Sequence, residues 1–106
     1  MRKIVENYRG TNSWYRKYDD GWIEQGGTVI TSIAAASGYW LVFPKPFVNA
    51  PLSVRTTAYN QAISNYYGQA FVVNSGSTYP MSNTQVRIWN DGGDTKTGFN
   101  WEACGY

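Results

Sequence analysis

The chain has 106 residues, of which 42% are hydrophobic, 17% aromatic and only 15% charged, with a formal net charge of +2. That is the size of one domain, with enough apolar content for its own core, and too weakly basic for phosphate-driven binding of nucleic acid. There is no histidine and a single cysteine, Cys104, which excludes Ser-His-Asp and Cys-His catalysis, histidine zinc sites, an intrachain disulfide and paired-cysteine metal motifs.

Read in chain order, the pattern is one of short strands separated by turn residues. Residues 1–12 carry no clear element, and Met1-Arg2-Lys3 is not followed by the apolar stretch of a secretory signal. Trp14-Tyr15-Arg16-Lys17-Tyr18 is a β-rich run, and Asp19-Asp20-Gly21 is a hairpin turn in which Gly21 takes the left-handed position. Trp22-Ile23-Glu24-Gln25 returns, Gly26-Gly27 is expected to break that strand, and residues 28–33 to start another. The three consecutive alanines Ala34, Ala35 and Ala36 are too few for an isolated helix, so residues 30–36 read as a loop or single turn.

Residues 38–43 form a strand apolar on both sides, with Tyr39, Leu41 and Phe43 on one face and Trp40 and Val42 on the other. Pro44-Lys45-Pro46-Phe47 cannot continue it, because two prolines remove two ladder donors. Residues 52–58 alternate, with Leu52, Val54, Thr56 and Ala58 inward and Ser53, Arg55 and Thr57 outward. A polar, aromatic loop covers 59–67, a strand 69–74 and a second polar loop 75–83. Residues 84–90 alternate again, with Val86 and Ile88 on one face, and Asp91-Gly92-Gly93-Asp94 reads as a solvated turn. Phe99, Trp101 and Ala103 form one face of a last strand over 99–104. About seven or eight short strands at this spacing describe an all-β antiparallel sandwich or small barrel of one domain.

Catalysis has little to stand on. Asp19 and Asp20 suit their turn, and Cys104 suits a small buried position. Glu24 and Glu102 are a glycosidase pair only if the fold sets them at the required separation. No metal or other cofactor is called for, and no apolar run reaches the ~18–20 residues of a membrane span. The chain is therefore expected not to be an enzyme.

The aromatic residues carry more information. A sugar offers apolar C–H faces and a rim of hydroxyls, so its site needs aromatic faces beside groups that both donate and accept. Two loops supply them, the first with Tyr59, Asn60, Asn65, Tyr66 and Tyr67, the second with Tyr79 and Asn83. In a glycan-binding reading the tyrosines stack on rings and the asparagines bond hydroxyls; in the plainer reading these loops pack on the domain or a sister subunit. Trp14, Trp22, Trp40 and Trp101 lie in strands and read as core or interface.

Three segments resemble the C-terminal domain of tail-fibre proteins of tailed bacteriophages and prophages. The first runs from Ser13-Trp14-Tyr15 through Asp20-Gly21 to Ile23-Glu24-Gln25-Gly26-Gly27. Leu41-Val42-Phe43-Pro44-Lys45-Pro46-Phe47, followed by Leu52-Ser53-Val54, is similar to the family's V-x-F-P-x-P-F segment and next strand. Trp101-Glu102-Ala103-Cys104-Gly105-Tyr106 is similar to its closing W-x-A-x-G-Y. The resemblance implies a β domain at the distal tip of a fibre, with residues 1–12 leading in from a longer protein and 13–106 forming the tip. It implies a homotrimer attached to the rest of the fibre, exposed on the virion, and binding a bacterial surface receptor such as a glycan, with no catalysis, nucleic acid or membrane insertion. Trp22, Glu24, Gln25, Trp40, Phe43, Phe47 and Trp101 would then be framework or trimer contacts. Low charge, many aromatics and a doubly apolar strand favour an interface independently, and closed symmetry is the usual way to bury one. Rival expectations are a purely structural trimerisation module, a monomeric lectin, and a depolymerase using Glu24 and Glu102.

Overall fold

The computed structural model describes residues 2–58, 71–74, 78–91, 95 and 97–106. Among these the chain is all-β, with eight strands: β1 (Ile4–Arg9), β2 (Ser13–Tyr18), β3 (Ile23–Val29), β4 (Ser37–Val42), β5 (Ser53–Ala58), β6 (Phe71–Asn74), β7 (Gln85–Asn90) and β8 (Phe99–Gly105). They form a five-stranded sheet in the order β1-β2-β3-β8-β5 and a three-stranded sheet in the order β4-β7-β6. Every pairing is antiparallel.

The core follows from strand alternation. Phe99, Trp101 and Ala103 of β8 with Ile23 of β3 are buried with Leu41 of β4 and Val86 and Ile88 of β7, and Ile33, Phe43 and Phe47 from the connections complete the cluster. Phe43 is the hub: its ring meets Phe47 edge-on at 5.2 Å and Trp101 at 6.0 Å.

The structure departs from the sequence pattern at four places. Ile4–Arg9, where the sequence pattern shows no clear element, is a sheet strand; a register shift between Ile4 and Glu6 interrupts its alternation, which hides it from a period-two reading. Gly26-Gly27 does not break β3, which runs on through Thr28 and Val29, so no separate strand covers 28–33. Leu52, expected inside, is 73% exposed because it precedes the β5 ladder, where alternation no longer sets direction. Cys104 is half-buried on the outer face of the five-stranded sheet rather than in the core. The Asp19-Asp20-Gly21 turn is as expected: Gly21 has φ +94°, and Asp20 accepts from the Trp22 amide at 3.1 Å.

Candidate functional site

The three segments of the motif meet in space. Lys45 lies between Pro44 and Pro46, which have no N–H, and the fully buried Gln25 serves its backbone twice. Gln25 Nε2 donates to the Lys45 carbonyl at 2.7 Å, and the Lys45 amide donates to Gln25 Oε1 at 3.0 Å. The Lys45 ammonium pairs with Glu6 at 3.0 Å, and Tyr15 donates its hydroxyl to the same carboxylate at 2.8 Å. These bonds, from Lys45 first and then Tyr15, hold the Glu6 carboxyl below its usual range, and the bond to Glu6 holds the Tyr15 phenol above its own. Phe47 and Asn83 are joined by two bonds, Phe47 N–H to the Asn83 carbonyl at 2.9 Å and Asn83 Nδ2 to the Phe47 carbonyl at 3.0 Å.

Gly26 and Gly27 have steric roles. A Cβ on Gly26 would lie 2.7 Å from the Trp101 carbonyl oxygen and 3.0 Å from the Trp14 indole, so Trp14 lies across a strand position without a side chain. A Cβ on Gly27 would collide with the Asn12 carbonyl, which accepts from the Thr28 amide at 2.9 Å. The glycines thus let the β1–β2 turn fold down onto β3.

That turn walls a groove of about 560 Å³ on the outer face of the five-stranded sheet, running from Arg9 and Asn12 across Thr28 and Asn100 to Arg55 and Thr57. A second hollow of about 210 Å³ adjoins it, sharing Trp14, Arg55 and Glu102. Arg55 pairs with Glu102 at 2.7 Å, and Thr28 Oγ1 donates to Asn100 Oδ1 at 2.6 Å. Glu24 borders the second hollow and is tied to Arg16 at 3.4 Å, Tyr18 at 3.1 Å and Trp22 at 3.3 Å. Glu24 faces Cys104 while Glu102 faces Gly26, a diagonal same-face relation at roughly 7–8 Å, with the Cβ atoms somewhat closer, and each carboxylate is paired with a guanidinium. Among the described residues no group of three or more His, Cys, Asp or Glu side chains is placed to hold a metal.

The outer face of the three-stranded sheet is aromatic. Trp40 is 36% and Val42 63% exposed. The Arg87 guanidinium lies 4.3 Å from the Tyr79 ring centroid, 5.5 Å from Trp40 and 5.8 Å from Trp89. Its Nε is buried and has no hydrogen-bond partner among the described residues.

The expected site residues are therefore dispersed. Gln25, Phe43, Phe47 and Trp101 are buried within the domain. Trp22 stacks edge-on against Tyr106 at 5.2 Å with Arg2 over its ring, and Trp40 stays on the outside. Tyr79 packs on Trp40 and Arg87, and Asn83, although exposed, bonds the Phe47 backbone. Tyr59, Asn60, Asn65, Tyr66 and Tyr67 lie outside the described residues. The groove was missed: alternation places Arg55, Thr57, Asn100 and Glu102 outward, but which strands adjoin is not written in any one of them.

The family described as "tail fiber protein gp53-like, C-terminal" matches residues 17–106, and the chain belongs to it. Among solved structures, the C-terminal part of a P. aeruginosa R2 pyocin fibre is similar with a TM-score of 0.71 at 20% identity, over 96% of this chain and 26% of that one. An N-truncated R1-type pyocin tail fibre is similar with a TM-score of 0.67 at 25% identity, over 95% of this chain and 84% of that one. The chain thus spans about a quarter of the R2 fibre fragment it matches. The curated proteins contain no match to it.

Proposed function

We propose that this domain is the receptor-binding tip of its fibre, assembling as a homotrimer and holding a bacterial surface glycan. One observation carries the reading. Arg2 and Tyr106 both pack on Trp22 at one end of the five-stranded sheet, beside the β2–β3 turn, where Arg2 also reaches Asp20 at 2.9 Å. The groove, the β1–β2 turn and the C-terminal end of β5 are at the opposite end. A fibre joined at the first end presents the second to the bacterium. We assign the trimer contact to the outer face of β4-β7-β6, where aromatics surround an arginine, as is common at interface cores. The domain acts by binding, as Glu24 and Glu102 are both engaged by guanidiniums.

Light scattering on a sizing column tests the assembly: about 36 kDa is expected, three times the 11.9 kDa chain, and Val42→Arg is expected to return the monomer. A concentration-independent 11.9 kDa mass would overturn the trimer. Binding to an array of purified bacterial surface polysaccharides, without shortening them, tests the rest. A purely structural role in the fibre is favoured by the exposed Val48 and Leu52 beside Tyr106 at the fibre-side end; it predicts a trimer that binds no cell and no polysaccharide.

A further inference from the structure

Resting on that reading, we infer that the groove between the β1–β2 turn and β5 is the saccharide site, and that it takes an acidic sugar, one bearing a carboxylate or phosphate. Its volume of about 560 Å³ falls within the ~300–1,000 Å³ of small-ligand sites. The adjoining hollow continues it along the sheet, so a polymer can enter without ending there.

The lining has the chemistry a sugar ring needs. The Thr28 hydroxyl spends its one proton on Asn100 Oδ1 at 2.6 Å. Thr28 oxygen therefore remains an acceptor, and Asn100 keeps both Nδ2 donors, with no partner among the described residues. Across the floor, Arg55 and Glu102 share one contact, Nη2 to Oε1 at 2.7 Å. The guanidinium keeps other N–H donors, and the carboxylate keeps its second oxygen. A pair of neighbouring hydroxyls matches that combination, one accepting from Arg55 and one donating to Glu102.

Charge selects the class of sugar. Glu102 is balanced by Arg55, and Glu24 in the second hollow by Arg16. Arg9, directly across the ladder from Trp14, has no ion pair among the described residues and leaves the groove net positive. A guanidinium binds carboxylate and phosphate alike, and two parallel N–H bonds suit both. The site's position also fits, since it lies at the end of the sheet opposite Arg2 and Tyr106.

The test uses the whole chain in its assembled state, labelled and applied to an array of purified O-antigen, capsular and teichoic-acid polysaccharides, with neutral and acidic members in each class. The expected result is binding confined to acidic members, weakened by salt. Arg9→Ala and Asn100→Leu are each expected to weaken it by about tenfold or more, the loss of a charge-assisted or fully used hydrogen bond. Circular dichroism, melting and light scattering confirm that each variant is folded and assembled. Val48→Ser, far from the groove, is expected to bind as wild type. If wild type binds polysaccharide but both folded groove variants bind equally well, the groove is refuted while glycan recognition stands. Binding only to neutral polysaccharides, lost in the groove variants, refutes the acidic class. Binding to intact cells but to no polysaccharide, surviving periodate treatment of the cells, refutes glycan recognition and this site together, and points to a protein receptor.

Discussion

Replacing Gln25 by methionine removes both bonds to the Lys45 backbone while nearly preserving side-chain volume. Each bond contributes about 1 ± 0.5 kcal/mol net. Lys45 N–H and C=O then lose their partner, at about 1–3 kcal/mol each where water cannot reach. Lys45 is half-buried, so solvent recovers part of that penalty. The expected loss is therefore about 2–4 kcal/mol, a large share of the ~5–15 kcal/mol typical of a domain. In a domain of this size it corresponds to a fall in Tm of roughly 10–30 °C. Urea denaturation followed by tryptophan fluorescence reads it, because Trp101 packs on Phe43, next to the clamped segment. Protein concentration must be the same for both proteins, since any subunit association adds to apparent stability. A loss below about 0.5 kcal/mol, the range of an unimportant surface change, would refute the view that this amide clamp holds the two-proline segment in place.

Other substitutions test the same kind of reasoning. Gly27→Ala drives a Cβ into the Asn12 carbonyl and within 3.0 Å of the Ser13 Cα, so backbone must move; about 1–3 kcal/mol of destabilisation is expected in denaturation. Gly38→Ala brings a Cβ to 2.6–2.7 Å from the Arg87 guanidinium, which Tyr79, Trp40 and Trp89 surround, so about 1–3 kcal/mol of destabilisation is expected in the same denaturation assay. Ala36 has φ 53°, a left-handed backbone costing about 1–2 kcal/mol; Ala36→Gly is expected to raise stability by roughly 0.5–1 kcal/mol after the entropy of glycine is counted. The Glu6 carboxyl is depressed below its ordinary 4.5 by its bonds from Lys45 and Tyr15. Its contribution is therefore present above pH 4.5 and lost as pH falls through the lower folded value, and Glu6→Gln is expected to flatten that part of the acid unfolding curve.

The resemblance in the three segments was sound because their residues interlock. Gln25 bonds the Lys45 backbone, and Phe43, two residues before Lys45, packs on both Phe47 and Trp101, so the segments read as a unit even when scattered along the chain. The candidate site was less legible. Asn83 and Tyr79 have the composition of a sugar site, yet their described contacts are to the Phe47 backbone and to Trp40 and Arg87. Side-chain type states what a residue can bond, and not which of the available partners it will meet.

What the sequence alone determined is local. Alternation in β7 and β8 sorts Val86, Ile88, Phe99, Trp101 and Ala103 to the inside, and Asp19-Asp20-Gly21 makes its turn, because period-two geometry and a left-handed glycine act within a few residues. Tertiary structure alone decided the rest. The order β3-β8-β5 brings Thr28 to Asn100 and Arg55 to Glu102, across 72 and 47 positions of chain, and so makes the groove. Gly26 and Gly27 look like a strand break and are instead the places where Trp14 and the Asn12 carbonyl come to rest. The reason is physical: alternation fixes a strand's faces, whereas its neighbours and register depend on which distant apolar faces bury each other best.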